Sequence, residues 1–219
     1  MDLATADRTG ARPPALNAYR VAVAALAWLA IAVQYVVFMG MLARLPPLDR
    51  TIDFFSFFTI VSNILLALAM TLPWLAPRAA ATRFVLRTDV RTAIATYMIV
   101  TGVVYVLLLR RLWSPQGLSF AADVALHYAL PVLFLIDWLF LPKAAPRWRA
   151  VVETLALPLA YAVWTFVHGM ATGFYPYPFL NAERIGYVWV VVNMLALGVM
   201  FALLCAGLTA LKAVVGPEP

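Results

Sequence analysis

Charged residues are scarce in this sequence. They make up 12% of its 219 residues, whereas ordinary soluble domains contain roughly a quarter. Hydrophobic residues make up 65% and are gathered in runs of roughly 18–27 residues, each long enough to cross a hydrocarbon core of about 30 Å as a helix. This composition excludes an ordinary soluble domain and indicates an integral membrane protein. Long unbroken runs also argue against a β-barrel, whose strands alternate apolar and polar residues.

Motifs for metals, phosphates and nucleic acids are missing as well. Cys205 is the single cysteine, so neither an intrachain disulfide nor a Cys-rich metal site can form. Two histidines without HExxH spacing argue against a catalytic zinc, and the sequence has no Walker pattern or GxSxG elbow. The net charge of +6 comes from arginines in loops rather than from one basic face. The sequence therefore predicts no metal, no cofactor and no nucleic-acid partner.

Six apolar runs predict an all-α bundle of six transmembrane helices. The connections are short, and no internal repeat is visible, which weighs against an inverted-repeat transporter. We expect a disordered N-terminal tail over residues 1–17, the transmembrane domain over 18–212 and a C-terminal tail over 213–219. The predicted spans are 19–43, 51–73, 92–109, 121–141, 150–168 and 185–211.

Lysine and arginine predict the orientation of this bundle. An even number of spans puts both termini on one side, and that side has more basic residues than the other, so the positive-inside rule predicts cytoplasmic termini. Near the cytoplasmic ends of spans four and five, Asp137 and Glu153 are expected to form interfacial ion pairs with Arg147 and Arg149. The basic residues on the predicted cytoplasmic side are Arg8, Arg12, Arg20, Arg78, Arg83, Arg87, Arg91, Lys143, Arg147, Arg149 and Lys212, against Arg44, Arg50, Arg110, Arg111 and Arg184 outside.

A polar stripe runs through the second predicted span. Ser56, Thr59, Ser62 and Asn63 recur at i, i+3, i+6 and i+7, so they share one side of a helix and must face protein or water. The fourth span contains His127, and an ionisable group inside a membrane marks a functional site by default. At 1.5 Å per residue, Thr59 and His127 lie roughly 12 and 9 Å below the outer face. We therefore expect them at one level.

Each of the central residues has a structural and a functional interpretation. Thr59 can bond its hydroxyl to the i−4 carbonyl or a neighbouring helix, or it can be a nucleophile. His127 can form an interhelical hydrogen bond or act as a general base or ligand. Asp123, four residues earlier on the same face, can hold the imidazole in one tautomer or simply favour the helix N-terminus.

The remaining candidate residues are expected near the depth of Thr59 and His127. Ser62, Asn63 and Asn193 can form helix-to-helix hydrogen bonds or donate to an oxyanion. His168 closes the fifth span at the outer face as an interfacial residue on the side of His127. The following loop contains two prolines, which block regular helix, and aromatic residues, which suit the membrane interface. We expect this loop to cover the mouth of an outer-leaflet cavity.

Three motifs, FFSFFTIVSN, ALHYALPVLFLIDWLF and HG...YPYPFL, carry a resemblance over essentially the whole chain. They resemble the bacterial six-helix relatives of the androgen-induced membrane proteins, which include the androgen-dependent TFPI-regulating protein. The resemblance implies hydrolysis of fatty acid esters of hydroxy fatty acids by a threonine nucleophile, which maps onto Thr59, and a histidine partner, which maps onto His127. It also implies a bacterial inner membrane as the location.

The predicted function is therefore lipid-ester hydrolysis, with a membrane lipid or fatty-acid ester as substrate and the bilayer as partner. An outer-leaflet cavity reached laterally suits an ester whose chain stays in hydrocarbon. Two alternatives stay open at this point. The polar stripe could bind a lipid head group in a small transporter or lipid-binding protein, or the chain could be a non-catalytic membrane scaffold.

Overall fold

The computed structural model describes residues 14–218. Residues 1–13, the larger part of the predicted tail, lie outside the described residues. Every regular element between residues 14 and 218 is helical. The α-helices are α1 (Pro14–Met41), α2 (Pro47–Phe55), α3 (Phe58–Leu75), α4 (Ala80–Val85), α5 (Thr88–Val104), α6 (Gly117–Val124), α7 (Leu130–Leu139), α8 (Trp148–Thr154), α9 (Ala156–Thr172), α10 (Ala182–Ile185) and α11 (Tyr187–Lys212).

Six helical segments among the described residues are long and apolar enough to cross a membrane. The prediction of an all-α protein with six membrane-spanning helices is therefore confirmed. The third span continues from α5 into a π-helical turn, the fourth joins α6 to α7 through another, and the fifth joins α8 to α9. The spans are Leu16–Met41, Phe58–Leu75, Thr88–Leu109, Gly117–Leu139, Trp148–Thr172 and Tyr187–Lys212.

The second span differs from the continuous helix predicted over 51–73. Helix α2 ends at Phe55, Phe57 is extended with φ −81° and ψ 127°, and α3 begins at Phe58. At the end of α2 the hydroxyl of Ser56 donates to the carbonyl of Ile52, which already accepts the helical hydrogen bond from the Ser56 N–H, and such side-chain bonds compete with helix propagation. Ser56 therefore does not share a helix face with Thr59, and the four-residue polar stripe was wrong in this respect.

Two π-helical turns face each other in the third and fourth spans. In the third, over Tyr105–Leu109, the N–H of Arg110 reaches back five residues to the carbonyl of Tyr105 at 2.8 Å. The fourth has its turn at Ala125–Ala129, just before Pro131, which has no N–H to donate to the carbonyl of His127. Such turns shift a side chain around the helix by inserting a residue. The two turns meet where the ring of Tyr105 stacks on that of His127.

Small residues let the inner helices approach closely. Helix α1 buries Ala24, Ala27 and Ala30 and packs mainly on α3, as small residues commonly do at membrane helix interfaces. Gly102 on α5 has the same role against the fourth span, because a Cβ atom there would lie 3.1 Å from the carbonyl oxygen of His127. The second, third and fourth spans are the most buried, with 50%, 50% and 44% of the residues in an 18-residue stretch buried, against 17% in the fifth and sixth.

A cluster of charged residues links α1, α5 and α7 near the C-terminal end of α7, away from His127. Asp137 is fully buried and pairs with Arg20, at 2.5 Å, and with Arg91, which is also fully buried. The expected pairing of Asp137 with Arg147 or Arg149 was wrong, because its side chain faces α1 and α5 in the core. Glu153 does pair with Arg149, at 3.1 Å, on the exposed surface.

The C-terminal residues fold back at this same end. The N–H of Lys143 donates to the carbonyl of Pro217 at 2.9 Å, and its ammonium pairs with Glu218 at 2.7 Å. Lys212 ends α11 and donates to the carbonyls of Trp138 and Leu141, so a cation caps the C-terminal end of α7 where the helix dipole favours it.

Candidate active site

Thr59 and His127 meet at the start of α3. Thr59 is the second residue of that helix, and its Oγ1 lies 3.4 Å from Nε2 of His127 in the fourth-span π turn. Thr59 is buried, with 8% of its surface exposed. The distance is slightly longer than the 2.6–3.2 Å typical of a nucleophile and its base, a contact that is often looser without substrate.

The other imidazole nitrogen determines the tautomer of His127. Its Nδ1 lies 3.0 Å from the backbone carbonyl oxygen of Asp123, and a carbonyl oxygen can only accept a hydrogen bond. Nδ1 is therefore the protonated nitrogen of the neutral ring, and Nε2 presents its lone pair to the Thr59 hydroxyl. The Asp123 carboxylate Oδ1 is also close, 3.2 Å from Nδ1, but the backbone oxygen has the hydrogen-bond geometry.

Tyr105 contacts both Asp123 and His127. Its hydroxyl donates to Asp123 Oδ2 at 2.5 Å, and its ring stacks on His127 with centroids 3.8 Å apart and planes 17° apart. Sequence reasoning missed Tyr105, although it is a buried tyrosine in a membrane span, where a phenolic hydroxyl needs a polar partner. The stacked ring and the Asp123 carbonyl together fix the orientation of the imidazole.

Tyr177 was the other residue that sequence reasoning missed. Its hydroxyl lies 3.3 Å from both the backbone nitrogen and Oγ1 of Thr59. It belongs to the segment 173–186 between the fifth and sixth spans, which we call the strap. The strap was expected to cover a cavity, but no spacing in the sequence linked one of its tyrosines to Thr59.

Burial affects the chemistry of this tyrosine. Only 7% of Tyr177 is exposed, and burial raises the pKa of its hydroxyl above the ordinary value of 10.0. The hydroxyl is therefore a neutral donor at physiological pH. A phenolate at this position would need the charged form to be stabilised against desolvation, and the pKa shift is in the opposite direction.

Ser62 and Asn63 position the backbone of Thr59. Ser62 Oγ donates to the carbonyl of Thr59 at 3.1 Å, and Asn63 Nδ2 donates to the same carbonyl at 2.8 Å. Asn63 Nδ2 also reaches the carbonyl of Leu126, next to His127, at 3.3 Å. Asn63 therefore joins the start of α3 to the fourth span, and Ser62 Oγ lies 3.0 Å from Thr101 Oγ1 in the third. Neither side chain lines the cavity described below.

Asn193 and His168 lie apart from the Thr59 hydroxyl. Asn193 Nδ2 donates to the carbonyl of Phe179 at 2.8 Å and so holds the strap. His168 Nε2 lies 2.9 Å from Asp53 Oδ1, and its ring stacks on Trp164. The structure thus gives His168 a buried carboxylate partner of its own and does not bring it to His127.

A cavity of about 310 Å³ opens beside Thr59 and His127. Its wall combines α1, the turn between α2 and α3, both π turns and the strap, and most of the lining is aliphatic or aromatic. Gln34 contributes a polar group whose Oε1 has no hydrogen-bond partner among the described residues. The lining residues are Gln34, Phe38, Met41, Phe54, Phe57, Thr59, Ile60, Tyr105, Leu109, Leu112, Trp113, Leu126, His127, Pro176, Tyr177 and Pro178.

Within residues 14–218, no three His, Cys, Asp or Glu side chains are grouped so that they could hold a metal ion. No family model, curated protein or solved structure matches the chain. The chemistry of the site is therefore argued from its own geometry, a hydroxyl, an oriented imidazole and a buried phenol at the edge of an apolar cavity.

Proposed function

We propose that the protein is an intramembrane lipid-ester hydrolase in which Thr59 is the nucleophile and His127 its general base. One observation carries the proposal: Oγ1 of Thr59 lies 3.4 Å from Nε2 of His127, while the opposite nitrogen donates to the Asp123 carbonyl. A hydroxyl is a weak nucleophile at neutral pH, and an adjacent oriented base is the usual means of activating it.

The reaction proceeds by acyl transfer. Nε2 of His127 takes the hydroxyl proton of Thr59 as Oγ1 attacks the ester carbonyl carbon. The tetrahedral intermediate collapses when the Nε2 proton passes to the leaving alcohol oxygen, which leaves an acyl-threonine. His127 then takes a proton from water, the hydroxide attacks the acyl carbon, and the carboxylic acid is released with Thr59 reprotonated.

The surroundings of the pair favour an ester with long hydrocarbon chains. The cavity is lined mainly by apolar side chains, and its volume of about 310 Å³ is near the lower end of the roughly 300–1,000 Å³ of small-molecule sites. It accommodates an ester group and part of a chain, with the remainder in the membrane. The proposed substrate class is a fatty acid ester of a hydroxy fatty acid or a related membrane lipid ester.

The family relationship and the orientation belong to the same proposal. The motifs around Thr59, His127 and the strap resemble those of the androgen-induced membrane proteins, and a threonine and a histidine of that family map onto the two residues in contact here. Both termini are proposed to lie in the cytoplasm of a bacterial inner membrane. A reporter fused after Pro219 then reads cytoplasmic, and a periplasmic reading would invert the leaflet from which substrate enters.

The direct test is hydrolysis of a fatty acid ester of a hydroxy fatty acid by purified protein in detergent, combined with fluorophosphonate labelling. We expect Thr59→Ala to abolish both, and His127→Ala to lower turnover by about 10²–10⁴-fold. Thr71→Ala is the matched control, because Thr71 lies on the same helix and, among the described residues, its hydroxyl donates to the carbonyl of Ala67 and accepts from the indole of Trp28. Turnover that survives Thr59→Ala at equal folded yield would exclude the nucleophile role.

A lipid-binding or transport protein is the alternative favoured by the apolar lining of the cavity. Such a protein would bind the ester saturably without turnover and would bind it equally well after Thr59→Ala. Absence of fluorophosphonate labelling in wild type, together with saturable ester binding without turnover, is the outcome that would select this alternative.

A further inference from the structure

The hydrogen bonds around Thr59 run in one direction. His127 Nδ1 donates to the Asp123 carbonyl, so Nε2 accepts from the hydroxyl of Thr59. With its proton committed to Nε2, Oγ1 can only accept from the hydroxyl of Tyr177, 3.3 Å away. The oxygen of Tyr177 in turn accepts from the backbone N–H of Thr59. The Tyr177 proton is therefore directed at the atom that attacks the ester.

From this arrangement we infer that Tyr177 is a catalytic residue that donates a hydrogen bond to the oxyanion of the tetrahedral intermediate, with the backbone N–H of Thr59 as second donor. The inference rests on the proposed function. The oxyanion forms on the carbon bonded to Oγ1, so it arises next to the atom that Tyr177 already contacts. As Oγ1 becomes an ester oxygen, the Tyr177 O–H turns from it to the new negative charge, and the Thr59 N–H exchanges the Tyr177 oxygen for the same charge.

The start of α3 suits negative charge at this position. The N–H of Thr59 is one of the first in the helix, where no carbonyl of the preceding turn is available, and its partner is the Tyr177 oxygen. Helix N-termini also carry a partial positive charge that stabilises anions. Acyl-transfer sites in general place fixed hydrogen-bond donors where negative charge develops in the transition state.

The strap holds Tyr177 in place before substrate arrives. Prolines on both sides restrict the backbone, the ring of Tyr177 stacks on Phe179 with centroids 5.3 Å apart, and Asn193 holds the carbonyl of Phe179. Because the ring is fixed in this way, only the O–H bond has to rotate during the reaction, and in a buried site its hydrogen bond to an oxyanion is stronger than in water.

The test compares Tyr177→Phe with wild type in ester hydrolysis. Phenylalanine keeps the ring and removes the donor, so we expect kcat to fall by about 10²–10³-fold, as for loss of one oxyanion donor, with KM within about threefold. Tyr175→Phe is the matched control in the same strap, because Tyr175 does not line the cavity, and it should retain wild-type kcat.

A second measurement separates stabilisation of the oxyanion from folding. A lipid trifluoromethyl ketone adds to the threonine hydroxyl and forms a stable oxyanion, so Tyr177→Phe should weaken its inhibition by about the same factor as it lowers kcat/KM. The inference is overturned if Tyr177→Phe hydrolyses ester and binds the ketone like wild type while Thr59→Ala is inactive. If Thr59→Ala remains active, the proposed function itself fails, and the role of Tyr177 fails with it.

Discussion

The ring of Tyr105 lies flat on the imidazole of His127, with 3.8 Å between the centroids. The two residues belong to the facing π turns of the third and fourth spans, so neither turn alone creates the contact. The Tyr105 hydroxyl reaches past the ring to Asp123, four residues before His127. One residue thus fixes the plane of the imidazole and donates to one oxygen of the carboxylate beside it.

Because Tyr105 makes both contacts, Tyr105→Phe should separate the contribution of the ring stack on His127 from that of the hydrogen bond to Asp123. Phenylalanine keeps the stack but leaves the buried Asp123 carboxylate without its donor, and a hydrogen bond to a charged group contributes about 1.5–3 kcal/mol. We expect the free energy of unfolding to fall by about that amount, with a smaller loss of kcat than in Tyr105→Ala. Denaturant unfolding and ester kinetics on matched folded protein measure both. A larger kcat loss in the Phe variant would contradict the stacking role.

Gly102 predicts how closely the third and fourth spans must pack for activity. A Cβ atom there would lie 3.1 Å from the carbonyl oxygen of His127, so Gly102→Ala must push the π turn that holds His127 away. The shift required is a few tenths of an ångström, and a misplacement of about 1 Å can cost about 10²-fold in rate, so we expect kcat to fall by about threefold to tenfold.

Gly198→Ala is the control for this prediction. A Cβ atom at Gly198, also within a membrane-spanning helix, meets no other heavy atom within 4 Å. The substitution should leave kcat unchanged and can stabilise the helix by about 0.5–1 kcal/mol. Equal activity of the two alanine variants would show that the close approach at Gly102 does not position His127.

The sequence predicts the number of spans and the pair at the site because both depend on features visible along the chain. Apolar runs of membrane length mark the helices, and an imidazole in such a run is rare enough to single out His127. The common level of Thr59 and His127 followed from counting residues from predicted helix starts. The counting was inexact, since α3 begins one residue before Thr59.

The remaining features depend on information that periodicity does not contain. The break at Ser56 and Phe57 lies within the apolar run that begins at Phe54, with no glycine or proline to mark it, and a π turn differs from an α turn by one residue. Tyr177 reaches Thr59 across 118 positions, so no local pattern could connect them. Asp137 was matched to arginines near it in sequence, whereas depth in the bundle selects Arg20 and Arg91.

Gly169 predicts a link between the fifth span and the strap. A Cβ atom there would lie 2.1 Å from the ring of Tyr175, so Gly169→Ala should displace the strap and withdraw the hydroxyl of Tyr177 from Thr59. We expect kcat to fall toward the value of Tyr177→Phe. The clash is tested by a double-mutant cycle, because Gly169→Ala should have little further effect in a Tyr175→Ala background. Additive losses in the two variants would mean that the ring of Tyr175 is not the cause.

The ion pairs of Asp137 predict that Asp137→Asn lowers the free energy of unfolding without lowering kcat. Asp137→Asn removes the carboxylate charge shared by two buried guanidinium groups, those of Arg20 and Arg91. Removing one partner of a buried ion pair typically costs about 3–5 kcal/mol, because a charge stays in low dielectric without compensation. Since Asp137 lies at the end of the bundle opposite Thr59, kcat per folded molecule should stay at the wild-type value.

Glu153→Gln is the matched control for burial, because Glu153 pairs with Arg149 on the exposed surface. Exposed pairs contribute little, so its free energy of unfolding should change by no more than about 0.5 kcal/mol. Denaturant unfolding in micelles gives the stabilities, and fluorophosphonate titration gives the fraction of active molecules for kcat. If both variants lose the same stability, burial of Asp137 is not what makes its ion pairs important. If Asp137→Asn instead lowers kcat per labelled molecule, the cluster is coupled to the catalytic end through the fourth span, which carries both Asp137 and His127.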